Sequence, residues 1–249
     1  AYIEHLEPIG STQLKSMYDI TYSPATIRGY FKKLGEEGYL AQEHISSGRT
    51  PTTEALKQYW QSKLNLKLKG LNLRALEYFA SEIGLSVFIK KEKSDVLKNI
   101  LNVEKRYMIL EFSSFAISVK YSDALYRFLN DMIGLDLKDI TRISKDVGAY
   151  EVYESINQTL QNSDFQIFNY KEFLNLALNY DFDEYTINSF LKGQILDELK
   201  EGLYFDKFLP SNYIGICNYC KINNEDVKML VIGELPKDYE YFYEKITTF

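Results

Sequence analysis

The stretch SPATIRGYFKKLGEEGYL, residues 23–40, limits the possible folds of this chain more than any other segment. Ser23 is a residue type that accepts hydrogen bonds from the free N–H groups at a helix start, and Pro24 suits the first helical position. Gly35 and Gly38 indicate where the helix ends. Between these signals, three apolar residues recur at the spacing of one helix face: Ile27, Phe31 and Leu34. The segment therefore predicts a short amphipathic helix with a defined start and stop.

The segments on either side predict a second helix and a hairpin. Upstream, Ser11 is expected to cap a helix with the sequence STQLKSMY. Downstream, YLAQEHISSGRTPTTEAL (39–56) predicts a brief strand, a Ser/Gly loop, an extended return through Thr50 and Pro51, and a helix toward Trp60. Helix, helix and hairpin, in that order, are the parts of a winged helix-turn-helix.

The helix face opposite the apolar stripe carries small residues, hydroxyls and cations. This composition is typical of a recognition helix in the major groove, although a merely solvated helix face is an equal alternative from the helix alone. The hairpin loop favours DNA, because it places hydroxyls and an arginine at a tip where no core needs them. We predict that seven residues contact DNA: Ser23, Thr26, Arg28, Lys32, His44, Ser46 and Arg49.

Charge is unevenly divided along the chain, whose formal net charge is −6. Residues 1–65 hold seven Lys/Arg and seven Asp/Glu, whereas residues 66–249 hold 22 and 28. A neutral head on an acidic body binds an arbitrary duplex weakly, so specific contacts should matter more than bulk attraction.

The remainder of the chain mixes strand and helix patterns, and we interpret QSKLNLKLKG (61–70) as a linker or short strand between domains. The predicted strands are LSVFI (85–89), RYMILEF (106–112), FAISVKY (115–121), YIGICNYCKI (213–222) and VKMLVIG (227–233). The predicted helices are DALYRFLNDMIG (123–134), LKDITRI (137–143) and KDYEYFYEKI (237–246), with a polar, mostly helical stretch over about 144–200. This order predicts an α+β fold.

Three N-terminal segments resemble the winged-helix signature of the HrcA family, heat-inducible repressors of bacterial chaperone operons: EPIGSTQLKSMY (7–18), SPATIRGYFKKLGEEGYL (23–40) and HISSGRTPT (44–52). LNDMIGLDLKDI (129–140) and VIGELPKDYEYF (231–242) resemble weaker motifs of the family's second domain. Gly29 and Tyr30 stand where the family usually has asparagine and an acidic residue. Because asparagine reads adenine well, the operator is expected to be related to the family's without being identical.

The resemblance implies an α+β fold with three parts. These are an N-terminal winged helix-turn-helix domain (1–64), a GAF-like domain (65–143 and 196–249), and a mostly helical dimerising segment inserted into it (144–195). It also implies a homodimer that binds double-stranded DNA at an inverted-repeat operator, and a GroEL chaperonin that modulates repression.

Two alternatives stay open: a regulator whose GAF-like domain senses a small molecule, and an adaptor that uses the winged helix for protein contacts. Walker A, G-x-G-x-x-G, H-E-x-x-H and G-x-S-x-G motifs are missing from the sequence, so we expect a protein that is not an enzyme and needs no cofactor.

Other candidate constellations favour structural interpretations. Cys217 and Cys220 form a C-x-x-C in a strand-like context, where two reduced thiols are expected in preference to a zinc or redox site. The acidic DFDEY (181–185) is expected to be a solvated loop, and His5 a packing or surface residue, so we predict no metal site. With no long apolar run and no secretory signal, we expect no membrane insertion and a cytoplasmic location.

Overall fold

A computed structural model describes residues 1–42, 44, 47–64, 68, 70–91, 95–161, 165–223 and 225–248. The fold is mixed α+β, as predicted. Two compact units form: the first is Ala1–Lys90 together with Phe165–Phe249, and the second is Lys91–Asp164. None of the helices in these described ranges has the length and the apolar run that a membrane crossing requires.

The described residues form twelve helices and twelve strands. The helices are α1 Tyr2–His5, α2 Ser11–Tyr18, α3 Pro24–Glu36, α4 Thr53–Lys63, α5 Leu73–Ile83, α6 Asp123–Asn130, α7 Leu137–Asp146, α8 Tyr150–Gln161, α9 Tyr170–Asn179, α10 Glu184–Leu191, α11 Ile195–Glu198 and α12 Tyr239–Ile246. The strands are β1 Leu40–Ala41, β2 Thr50–Pro51, β3 Gly70–Leu71, β4 Ser86–Lys91, β5 Leu97–Val103, β6 Tyr107–Phe112, β7 Ala116–Lys120, β8 Phe165–Phe168, β9 Gly202–Tyr204, β10 Tyr213–Ile222, β11 Glu225–Glu234 and β12 Thr247–Thr248.

The helix predicted from Ser23 is confirmed as α3, but two local predictions are wrong. The N-cap of α2 is Gly10, and Ser11 is instead the first helical residue. Leu34, expected in the apolar stripe, is 38 % exposed, whereas Ile27 is buried. Ser11 instead accepts a hydrogen bond from Arg28, and no tertiary contact buries Leu34 as the periodicity predicted. The left-handed φ of +82° at Gly38 confirms the predicted helix stop, since a residue with a Cβ rarely adopts that conformation.

A seven-stranded sheet organises the first unit, with the strand order β12-β3-β10-β11-β4-β8 and β9 added beside β10. Its centre is the antiparallel β10–β11 hairpin, paired from Tyr213↔Glu234 to Ile222↔Glu225. Helices α4, α5 and α12 cover one face, where residues including Trp60 and Tyr239 form a core. Helices α9, α10 and α11 cover the other face, with a second core around Phe173. Burial on both faces explains why the two central strands are almost continuously apolar.

The second unit is an antiparallel β5-β6-β7 meander with helices α6, α7 and α8 packed on one face. Apolar side chains on its other face are exposed to solvent: Leu101, Val103 and Tyr107 are between 41 and 51 % exposed.

These units divide the chain at positions other than the sequence-based domain limits. Residues 165–195, which were assigned to the inserted segment, lie in the first unit, while 97–143 lie in the second. The three-domain division at 64/65, 143/144 and 195/196 stays a prediction. Residues 65–67 and 69 of the expected linker lie outside the described residues.

Candidate nucleic-acid interface

Ser23 organises the start of α3. Its side-chain oxygen accepts a hydrogen bond from the Thr26 N–H at 3.1 Å and lies 2.9 Å from the Thr26 hydroxyl. Ser23 therefore caps the helix as predicted, and the two hydroxyls form one polar pair at its exposed N-terminus. The positive end of the helix dipole coincides with this pair, which makes the location favourable for a negatively charged partner.

Arg28 lies in the second turn of α3 and reaches toward α2. Its guanidinium Nη1 donates a hydrogen bond to the Ser11 hydroxyl at 3.4 Å. Ser11, which does not cap α2, thus holds the Arg28 guanidinium between α2 and α3. Sequence inspection assigned Ser11 to a local cap and missed this contact, because its partner lies 17 residues away.

The lysines of α3 are exposed and only loosely paired. Lys32 Nζ lies 3.8 Å from a Glu36 carboxylate oxygen, and Lys33 Nζ lies 3.9 Å from one of Glu37. Exposed pairs of this kind are worth little, so the lysines can exchange their carboxylates for another anion at small cost. The first turn of α3 contains no acidic residue, and the cations of the helix begin at Arg28 in the second turn.

The hairpin that follows α3 is joined to the segment before α2. Strands β1 and β2 pair antiparallel, and Ile9 adds a further bridge: its N–H donates to the Arg49 carbonyl at 3.0 Å and its carbonyl accepts from the Arg49 N–H at 2.9 Å. Gly48 is needed beside this bridge, since a Cβ there would lie 2.5 Å from the Ile9 nitrogen and the Pro8 carbonyl carbon. The glycine was predicted only as a loop residue, because its close neighbours come from a segment about 40 positions earlier.

Thr52 fixes the hairpin between α3 and α4. Its N–H donates to the Tyr39 carbonyl at 2.9 Å, and its hydroxyl donates to the Gly38 carbonyl at 2.8 Å. The same hydroxyl oxygen accepts from the Ala55 N–H at 3.3 Å and so caps α4. One side chain therefore connects the end of α3, the hairpin and the next helix.

The predicted contact residues occupy two segments. Ser23, Thr26, Arg28 and Lys32 are all exposed on α3, while Arg49 is half-buried in the bridge to Ile9. His44 is exposed, and its backbone is held by Ser47, whose hydroxyl accepts from the His44 N–H at 3.1 Å and donates to its carbonyl at 2.7 Å. Ser46 lies outside the described residues.

Helix α4 ties the N-terminal elements to the core of the first unit. Trp60 is fully buried, and its indole N–H donates to the Leu235 carbonyl at 2.7 Å. Its ring meets that of Tyr239 edge-on at 5.1 Å. Tyr59 donates a hydrogen bond to Glu240 at 2.9 Å, so neighbouring positions of α4 fix the helix on α12.

The other sequence candidates have structural roles. Cys217 and Cys220 are free, buried thiols in β10, as expected, and their three-residue spacing puts them in different cores on opposite sheet faces. Burial raises the pKa of Cys217 to about 11 and that of Cys220 to about 12, which makes both thiols unreactive. Asp183 caps α10 through the Thr186 N–H at 2.8 Å, and His5 is exposed beside Glu4. Within the described ranges, no group of three potential metal ligands comes together.

Comparison with known proteins agrees with the sequence resemblance. Residues 60–249 match the HrcA C-terminal domain. The heat-inducible transcription repressor HrcA of Helicobacter pylori strain J99 is 31 % identical over 250 residues, which cover 99 % of this chain and 90 % of that protein. HrcA of H. pylori strain 26695 is 30 % identical over the same shares, and HrcA of Chlorobium phaeobacteroides is 27 % identical over 72 % of this chain and 49 % of that protein.

These relatives are transcription repressors, and that is the class of protein to which the chain is assigned. The chain belongs to the HrcA family of heat-inducible transcription repressors.

Proposed function

We propose that residues 1–64 form a winged helix-turn-helix domain that binds operator DNA and represses heat-shock chaperone operons. The observation that carries this proposal is the pairing of an exposed α3, which carries Arg28, Lys32 and Lys33, with the β1–β2 hairpin and the Ile9–Arg49 bridge. Helix, helix and hairpin in this order are the parts of the motif, and family membership supports the same function. Such a repressor acts in the cytoplasm, where its operators are.

In this proposal α3 enters the major groove and the hairpin follows the adjacent backbone. Ser23, Thr26, Arg28 and Lys32 contact base edges and phosphates from the helix. The hairpin contributes His44, Ser46 and Arg49. Arg28 exchanges its hydrogen bond with Ser11 for one with DNA, a low-cost change because the bond is already long at 3.4 Å.

Replacing Arg28 with alanine tests this assignment. We expect operator binding to weaken by roughly 1–3 kcal/mol with relaxed specificity if Arg28 meets a guanine, or to weaken for all sequences with a smaller salt slope if it meets a phosphate. Gel-shift titrations across salt concentrations separate the two cases. Arg74→Ala, an exposed arginine on α5, is the matched control. Wild-type affinity in both Arg28→Ala and Arg49→Ala would remove the proposed interface.

A homodimer on an inverted repeat is the second element of the proposal, since a two-fold operator matches a two-fold protein and tethered half-sites raise affinity. The meander of the second unit supports self-association with two apolar cross-strand pairs on its outer face, Leu101↔Ile109 and Val103↔Tyr107, of which only Ile109 is half-buried. We expect sedimentation to give a dimer for the wild type and a monomer for Val103→Glu. Tyr78→Glu, at an exposed position on α5 outside the 144–195 segment, should leave the dimer intact.

Modulation by the GroEL chaperonin is the third element. The family's heat inducibility supports a control that responds to unfolded proteins. The first unit, whose sheet we propose to be GAF-like, exposes large apolar side chains on α9 and α10, including Leu178 at 74 % and Tyr185 at 76 %. Stoichiometric gel shifts should show an active fraction that falls on mild heating and recovers with added chaperonin. An active fraction near one throughout would leave DNA binding in place and exclude this control.

Small-molecule sensing is a second candidate function, favoured by one cavity in the first unit. Four of its lining residues carry ionisable groups: Glu172, Tyr213, Glu234 and Lys237. A metabolite with both an amine and a carboxylate fits such a lining. Saturable thermal stabilisation by amino acids, with loss of the effect in Lys237→Met, would favour sensing over chaperonin control.

A further inference from the structure

Two tyrosines form an exposed pair beside the proposed interface. Tyr22 lies in the turn before α3 and Tyr30 lies within α3, and their ring centroids are 6.0 Å apart with an interplanar angle of 63°. Tyr22 is 55 % exposed and Tyr30 53 %. Among the described residues, neither hydroxyl has a hydrogen-bond partner, in contrast to Tyr18, whose hydroxyl donates to Glu4.

Tyr30 lies on α3 between the apolar stripe of Ile27 and Leu34 and the side of the helix that carries Thr26 and Lys33. Thr26 precedes it by four residues and Lys33 follows by three, spacings at which side chains are neighbours on a helix. The exposed ring of Tyr30 is therefore a surface neighbour of Lys33 and of the predicted contact residue Thr26.

The contact with Tyr22 gives Tyr30 a defined orientation without burying it. An edge-on ring contact is favourable, and a tyrosine has few side-chain torsions to immobilise. The contact with Tyr22, called the brace below, therefore reduces the loss of side-chain entropy when Tyr30 binds a ligand. The hydroxyl remains a free donor. Lys33, three residues on, is a neighbouring cation on the same side of α3 and makes an anionic partner complementary to this surface.

We propose that Tyr30, braced by Tyr22, is a further DNA-contacting residue whose hydroxyl donates a hydrogen bond to a backbone phosphate. The inference rests on the operator binding proposed above. A neutral donor to a phosphate positions the protein but carries no sequence information, and it displaces no counterion. Loss of the Tyr30 hydroxyl should therefore change affinity without changing specificity or salt dependence, unlike loss of a cationic residue.

Tyr30→Phe removes only the hydroxyl, so it is the central variant. We expect binding to weaken about tenfold per half-site, equally for operator and random duplex, with the salt slope unchanged. Tyr22→Leu, which removes the brace, should weaken binding in the same pattern but less. Tyr185→Phe on α10, where the ring is 76 % exposed, is the matched control and should bind as wild type. Tyr30→Phe and Tyr185→Phe should melt at the same temperature as the wild type, because each loses only an exposed hydroxyl.

Three results would overturn the inference in distinguishable ways. Unchanged binding in Tyr30→Phe, with wild-type protein that binds the operator, overturns the role of Tyr30 alone. Unchanged binding in Tyr22→Leu overturns the brace. A wild-type chain that protects no duplex overturns operator binding and the inference together.

Discussion

Gly48→Ala should loosen the hairpin while leaving the rest of the protein folded. The added methyl would lie 2.5 Å from the Ile9 nitrogen and the Pro8 carbonyl carbon, and 2.6 Å from the Ile9 carbonyl carbon. All three are backbone atoms, so no side chain can rotate away. Reaching even 3.0 Å requires the two segments to separate by about 0.5 Å, and this movement stretches both hydrogen bonds of the Ile9–Arg49 bridge.

The magnitude follows from the two hydrogen bonds that the bridge contains, at 3.0 and 2.9 Å. At about 1 kcal/mol each, their loss costs about 2 kcal/mol of local stability. That free energy corresponds to about a 30-fold loss of hydrogen-exchange protection at the Ile9 and Arg49 amides. The cores around Trp60 and Phe173 are not involved, so the main thermal transition should hardly move.

Amide exchange measured by NMR, with gel shifts on the same samples, is the assay. Operator affinity should fall as well, because Arg49 loses its fixed position. Gly29→Ala is the matched control for stability: the same methyl meets nothing within 4 Å in a helix interior, and should stabilise α3 by about 0.5–1 kcal/mol. If the Ile9 and Arg49 amides of Gly48→Ala stay as protected as in wild type, the close-approach reasoning is refuted.

Two further predictions concern titratable groups. Burial raises the pKa of Asp95, but hydrogen bonds from Ser114 and Ser113 outweigh it and lower the pKa from 3.8 to about 2. The second unit should therefore lose up to about 2 kcal/mol of stability as the pH falls from about 4 to about 2, and urea unfolding of Asp95→Asn should lack this dependence. Because burial raises the pKa values of Cys217 and Cys220, neither thiol should react with a thiol reagent at pH 8 until the chain is unfolded in urea. Fast labelling of the native protein would contradict the buried placement.

Local chemistry in the sequence determined the elements of the candidate interface. The Ser23–Pro24 start, the turn at Gly38 and the extended return through Thr50 are each decided by neighbouring residues, and all were predicted correctly. The same holds for the strands and helices with strong periodicity, such as β10, β11 and α12. Strand β5 and helix α5 were not predicted, although their sequences, LKNILNV and LRALEYFASEI, contain residues typical of a strand and of a helix. Family membership, too, was readable from motifs alone.

Tertiary structure alone decided which residues meet. Arg28 donates to Ser11, Gly48 lies against Pro8 and Ile9, and Trp60 inserts beside Tyr239, contacts that join residues 17 to about 180 positions apart. Periodicity reports which face of an element is apolar but not what covers it, so Leu34 was expected in a core and is instead exposed. The tertiary structure likewise decides where the chain leaves the first unit and returns to it. Strand β4 pairs with β8, although the residues of the second unit separate them in the sequence. Such pairings depend on the simultaneous packing of distant segments, which no local pattern of residues encodes.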